Sequence, residues 1–325
     1  MNLKTVAPRT GHKTLLYSEL VTDLTAIKAD LAVIGMPFGA AYSPRAFTND
    51  QTHTPQALRD LSDRMVRAPE HYDFDIDGPL LQGRKDIRFI DCGDILPSLG
   101  APGEHYVQLE AAIRELRKGG ALPIVLGGDH GITTPSLRGY AGEGPITLVH
   151  VDAHLDWRQE VNGVRVGLSS PIRRASEMAH VGKIVQIGLR AQGSARPEDL
   201  QAARAYGAEL ITAYELHDIG MDAVLNRIPD GGNYYLSIDA DGLDPSFMPA
   251  VDGPAPGGVT FIQARKLIHG LVKKGRVVGM DIVEIQPSKD LASKLTCVTA
   301  GRLIVNLIGS TIRAGYFDKG AVIAR

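Results

Sequence analysis

Eight short apolar runs, most of them rich in Val and Ile and separated by longer segments of helical character, dominate the chain. They are LAVIGMPF (31–38), IRFIDCGD (87–94), LPIVLGGD (122–129), ITLVHVDA (146–153), IVQIGLR (184–190), ELITAYEL (209–216), YYLSIDAD (234–241) and VVGMDIVEI (277–285). A strand that is apolar on both alternating faces needs cover on both, which is the environment of a parallel sheet between helices. The intervening segments fit crossover helices. One, from Pro55 to Met65, has Thr54 as N-cap and Pro55 at its first position. Another runs from about Glu104 to Lys118 and stops at Gly119-Gly120, a C-terminal signal. This alternation predicts an α/β fold: a three-layer α/β/α arrangement around a mostly parallel sheet of about eight strands. No repeat, low-complexity tract or linker divides the 325 residues, so a single domain over 1–325 is expected, with 1–29 an irregular N-terminal extension. Residues 68–85 and 242–258 are the other irregular stretches.

Composition narrows the function. Lys and Arg number 35 against 37 Asp and Glu, so no basic excess exists to neutralise nucleic acid. Cys92 and Cys297 are the two cysteines, too few for a disulfide framework, and a cytoplasmic location is expected. The N-terminus lacks the apolar core of a signal peptide, and no uninterrupted apolar stretch approaches the roughly 18 residues of a membrane span. Neither a membrane nor a nucleic acid is expected as partner.

Three polar clusters follow three of the apolar runs, at the strand ends where open α/β sheets bind ligands. They are Gly127-Gly128-Asp129-His130, Asp152-Ala153-His154-Leu155-Asp156, and Asp239-Ala240-Asp241-Gly242-Leu243-Asp244-Pro245. If the extended conformation persists, alternation brings Asp152, His154 and Asp156 to one side, and likewise Asp239 and Asp241. Carboxylates gathered this way repel one another and cost several kcal/mol to desolvate without a counter-charge. Four carboxylates and two imidazoles suit a pair of divalent ions about 3.5–4 Å apart. Oxygen-rich ligation favours Mn²⁺ over Zn²⁺, with Ni²⁺, Co²⁺ and Fe²⁺ also compatible. Singly, each cluster has a structural explanation: a tight turn, a helix start, a solvated loop.

These residues resemble the ureohydrolase (arginase/agmatinase) family, closest to its agmatinase-like members. The likeness includes Gly35-x-Pro37, Asp91-x-Gly93-Asp94, the three clusters, Pro256-Gly257-Gly258, the Ser237–Ser246 run and Met280-Asp281-Ile282-Val283-Glu284. The resemblance implies the three-layer fold, a trimer or hexamer, and a binuclear centre. His130, Asp152, Asp156 and Asp239 would hold one metal; His154, Asp152, Asp239 and Asp241 the other. A hydroxide shared by the two ions would attack, oriented by Asp156, while Glu284 would receive the guanidinium of the substrate. The implied reaction is hydrolysis of a guanidino group to urea and an amine.

The chain departs from that pattern. In the loop after the D-x-H-x-D element the family carries a histidine thought to pass protons to the leaving amine; here Leu168 stands in its place. General acid assistance is typically worth 10²–10⁴-fold. Trp157, the single tryptophan, is expected either to pack in the core or to wall the substrate pocket by cation–π contact. The segment Gly188–Ser194 lacks the aspartate with which arginases take an α-amino group, which favours agmatine, a guanidino acid or an alkylated guanidine or biguanide. His150, two residues before Asp152, reads as a supporting or core residue. Two alternatives stay open: a weak or silent metal-binding subunit assembled with an active homologue, and a hydrolase of another C–N bond, formimidoyl or amide. A dinucleotide enzyme is excluded, because Gly35-Met36-Pro37-Phe38-Gly39 carries no G-x-G-x-x-G and no P-loop exists.

Overall fold

The computed structural model describes residues 5–6, 13–38, 42, 50–96 and 102–318. Among these, nine strands form one sheet. They are β1 (Glu19–Leu20), β2 (Leu31–Gly35), β3 (Phe89–Asp94), β4 (Leu122–Leu126), β5 (Ile146–Val151), β6 (Val181–Leu189), β7 (Glu209–Thr212), β8 (Asn233–Asp239) and β9 (Arg276–Val283). All pair in parallel, in the order β1-β3-β2-β4-β9-β8-β5-β6-β7. Each of the eight apolar runs supplies one strand. Residues along a strand alternate between two cores: Leu31 and Val33 feed one, Ala32 and Ile34 the other. That alternation is the physical basis of the three layers. The helix Leu295–Arg313 is long and apolar enough to resemble a membrane span, but 83% of its apolar window is buried inside the fold.

Three local readings are corrected. The expected irregular extension contributes a short 3₁₀ turn, Leu15–Tyr17, and the two-residue edge strand β1 beside β3. Thr54 does not cap its helix: its hydroxyl donates to the Ile285 carbonyl (2.9 Å), and the helix Thr54–Asp60 breaks at Leu61 before a second turn, Ser62–Met65. The run 209–216 divides at Thr212, whose hydroxyl accepts from the Glu215 amide and starts the helix Ala213–Asn226. The Gly39 of the excluded dinucleotide motif lies outside the described residues.

Strand order positions the site. The chain leaves β4, skips two places and returns as β5; β8 and β9 later fill the gap. The three clusters and Glu284 therefore end four adjacent strands, β4, β9, β8 and β5, at their carboxyl ends.

Candidate metal centre

His130 opens a single 3₁₀ turn after β4, and Asp129 caps that turn by accepting from the Gly131 amide (3.0 Å). The approach is close here: a Cβ on Gly128 would lie 1.6 Å from the Phe38 carbonyl oxygen, so only glycine lets this turn descend onto the sheet. The Nδ1 of fully buried His130 is surrounded by Oδ2 of Asp239 (3.0 Å), Asp156 (3.1 Å) and Asp152 (3.4 Å). His154 Nδ1 lies 3.2 Å from Asp241 Oδ2 and 3.4 Å from Asp152 Oδ1. All six expected ligands are thus brought together, with Asp152 facing both histidines through different oxygens.

They do not converge by strand alternation. β5 ends at Val151, and Asp156 takes a left-handed backbone (φ 50°) that swings its carboxylate back toward His130. Asp241 lies in the 3₁₀ turn Ala240–Gly242, where Asp239 accepts its amide (2.9 Å). Glu284 is also left-handed (φ 63°). A non-glycine residue in that region costs roughly 1–2 kcal/mol. Two of the site residues are therefore held in place by strain that the surrounding fold supports.

The electrostatics show an acid cluster short of positive charge. Burial and the charges of Asp241 and Asp152 push the Asp239 carboxyl well above its usual range; burial and Asp152 also raise Asp156 and Asp241. Burial would also raise Asp152, but the imidazoles of His150, His130 and His154 hold it well below. Hydrogen bonding to Asp152 and Asp241 pushes His154 up to about 12. Burial alone would lower His130, yet Asp152, Asp156 and Asp239 hold it well above its ordinary value.

Whether this set fits metal ions can be tested on its unpartnered atoms. His130 Nδ1 and Asp152 Oδ2 are buried with no hydrogen-bond partner, although they lie 3.4 Å apart. Buried polar atoms of this kind are costly and rare. Donors that crowd together without hydrogen-bond alignment have the arrangement of ligands about a common centre. Two groups could hold an ion: His130, His150, Asp152 and Asp156, and Asp152, His154 and Asp241. Asp239 joins the first through its contact with His130. The residues fit a binuclear site.

Supporting residues emerge that the sequence did not reveal. His130 Nε2 meets the Ser237 hydroxyl (3.0 Å), which donates to Asp281 Oδ1 (2.6 Å); Asp281 also accepts from Tyr235 and Thr133. Because Ser237 spends its proton on Asp281, His130 donates from Nε2 and keeps Nδ1 toward the acids. Ser237 lies two residues before Asp239 on β8, the one signal that could have marked it. Glu284 Oε1 accepts from the His130 amide (2.7 Å) and Oε2 from Gln51 (2.9 Å). Burial and neighbouring Asp129 push its carboxyl up to about 8.

Trp157 resolves toward packing. Its ring is 1% exposed, sits in the core and tilts onto Tyr206 with centroids 5.8 Å apart, so it presents no open face to a ligand. Leu168 is half-buried, and beside it the Tyr42 hydroxyl accepts from the Ser169 amide (2.8 Å). The close seat of the Tyr42 ring requires Gly167, where a Cβ would come within 2.5 Å of it.

The family model described as "Arginase family" matches residues 29–309. An agmatinase from Citrobacter koseri is 31% identical over 286 residues, 86% of this chain and 87% of that protein. The solved structure of proclavaminate amidino hydrolase from Streptomyces clavuligerus superposes with a TM-score of 0.77 at 26% identity, covering 95% of this chain and all of that one. Agmatine ureohydrolase of Thermoplasma volcanium gives 0.72 at 27% identity, with 89% and 92% covered.

Proposed function

This chain belongs to the arginase family of hydrolases, and from that premise we propose that it hydrolyses the guanidino group of a small substrate to urea and an amine at a two-metal centre. One observation carries the reading: four carboxylates and two imidazoles gathered at the ends of β4, β5 and β8, all but His154 buried, with His130 Nδ1 and Asp152 Oδ2 left without hydrogen-bond partners. His130, Asp152, Asp156 and Asp239 would hold one divalent ion, and His154, Asp152, Asp239 and Asp241 the other. When bound, the ions supply Lewis acidity and lower the pKa of a water toward neutrality. The oxygen-rich set favours Mn²⁺, with Ni²⁺ the next choice.

The chain's own residues do the rest. Asp156, turned inward by its left-handed backbone, is placed to accept a hydrogen bond from the attacking water and orient it. Glu284 has spare lone pairs on both oxygens after its bonds to His130 and Gln51, and a guanidinium can take them. A cation there favours the ionised carboxylate, so substrate binding would draw the Glu284 proton off. Agmatine, a guanidino acid or an alkylated guanidine suits the missing acid in the Gly188–Ser194 loop. Purified protein loaded with Mn²⁺ or Ni²⁺ and offered a guanidino panel should release urea. Silence from every compound, with two ions bound per chain, would overturn the reading.

A second reading rests on Leu168, which removes a proton donor where the family has one. On that reading the chain is a weak or silent subunit that needs an active homologue. Leu168→His separates the two. A gain in turnover approaching the 10²-fold of general acid catalysis marks a working centre short of a proton donor; a variant as inactive as the parent marks a silent subunit.

A further inference from the structure

His150 is close enough to the acids to count as a metal ligand: its nitrogen lies with donor atoms of His130, Asp152 and Asp156, all within 4.8 Å of one another. It is fully buried, and its ring centroid is 4.9 Å from that of His130. Its Nε2 sits 2.9 Å from Asp152 Oδ2 and has no hydrogen-bond partner in good alignment. Distance alone would assign it to the centre.

The other side of the ring argues otherwise. Gln186 occupies the paired position on β6, fully buried, with its side-chain nitrogen 3.0 Å from His150 Nδ1. The same nitrogen donates to the Leu155 carbonyl at 2.9 Å. A carbonyl only accepts, so the amide must present its NH₂ there; turned over, its oxygen would face the Leu155 oxygen. The NH₂ has two protons, and the second points to Nδ1. Nδ1 is therefore the acceptor, and the ring proton resides on Nε2. An Nε2 that carries a proton has no lone pair for a metal.

We propose that Gln186 keeps His150 out of the coordination sphere by fixing its proton on Nε2, making His150 a positioning residue packed 2.9 Å from the His130-facing oxygen of Asp152. Gln186 decides which nitrogen holds the proton. Excluding a further protein donor leaves a coordination position for water or substrate, which a catalytic site requires and a closed structural site lacks. The proposal rests on the two-metal reading for its consequence, but its tautomer does not.

Two measurements separate these. Long-range ¹H–¹⁵N spectra of the metal-free protein, with His150 identified by its absence in His150→Phe, should show the Nε2–H form; the Nδ1–H form would overturn the proposal. A crystal structure loaded with Mn²⁺ should place His150 Nε2 well beyond the bonding distance of about 2 Å from either ion, and a bond would overturn it. Gln186→Glu, which can accept from Nδ1 but not donate, should reverse the tautomer and tighten Mn²⁺ binding by about tenfold, as outer partners of ligating imidazoles do. An unchanged tautomer and affinity in that variant count against Gln186 as the switch. If no metal binds but the Nε2–H form is found, the functional reading fails and the tautomer assignment stands.

Discussion

Two groups of buried acids lie at strand ends of the same sheet, and they are neutralised differently. At the end of β3, Asp91 and Asp94 enclose Arg59, itself fully buried. Arg59 Nε and one terminal nitrogen grip Asp91 (2.8 and 2.9 Å), the other reaches Asp94 (2.6 Å), and the Gly93 carbonyl accepts a further bond (3.0 Å). The Leu15 and Gly93 amides complete Asp91. Among the described residues, the four acids after β5 and β8 at the candidate centre meet imidazoles and backbone amides but no arginine or lysine side chain, and Asp152 Oδ2 stays unpartnered. The chain carries its own cation in the first case. The second is a cluster that could hold a metal ion instead.

The comparison can be broken most forcefully from the closed side. Arg59→Met removes the buried cation that Asp91 and Asp94 share and should cost about 3–5 kcal/mol, read as a lower midpoint of denaturant unfolding. Mn²⁺ should not restore it, because that pocket is built for a planar cation. At the open side, Mn²⁺ at a hundred times its dissociation constant should raise the stability of the metal-free protein by about 2.7 kcal/mol, measured by thermal unfolding. Asp239→Asn, which removes a charge His130 faces, should lose most of that gain; an undiminished gain would place the metal elsewhere.

Protons sharpen the same contrast. Glu284, pushed up to about 8 from the usual 4.5, and His154, pushed up to about 12 from 6.5, both bind protons more tightly when folded. Their contributions are complete at low pH and lost as pH rises, Glu284 between about 4.5 and 8 and His154 between 6.5 and about 12. Metal-free protein should therefore melt progressively lower as pH rises from 5 toward about 8, and the increment from Mn²⁺ should grow over that range as ions take the protons' place. Titrating Mn²⁺ into weakly buffered protein should release protons. The smallest effect is expected at Tyr42. Tyr42→Phe strips the Ser169 amide of its acceptor and should cost about 1 kcal/mol; a much larger loss confined to turnover would give its hydroxyl the role of the missing histidine.

Much of this was legible before any coordinates. Each of the eight apolar runs supplies a strand, because a segment apolar on both faces has few other places to go. Edge strand β1 is not legible in the sequence, since Glu19 and Leu20 are too few to show a period. The six candidate ligands were identified by residue type and position after a strand. The reason first given for their convergence was wrong for Asp156 and Asp241, which reach the centre through a left-handed residue and a 3₁₀ turn that no side-chain pattern announces. Residue type alone fits Trp157 to either core or pocket, and only its neighbours decide for the core.

Periodicity and chemistry are local properties, so order along the chain was enough to dictate layered α/β architecture and an acid-rich set of strand ends. Strand order is not local. That β9 and β8 lie between β4 and β5, putting Glu284 against the His130 amide and Ser237 between His130 and Asp281, depends on which strands find each other across more than a hundred residues. The same holds for Gln186 beside His150, a pairing that exists only because β5 and β6 lie in register.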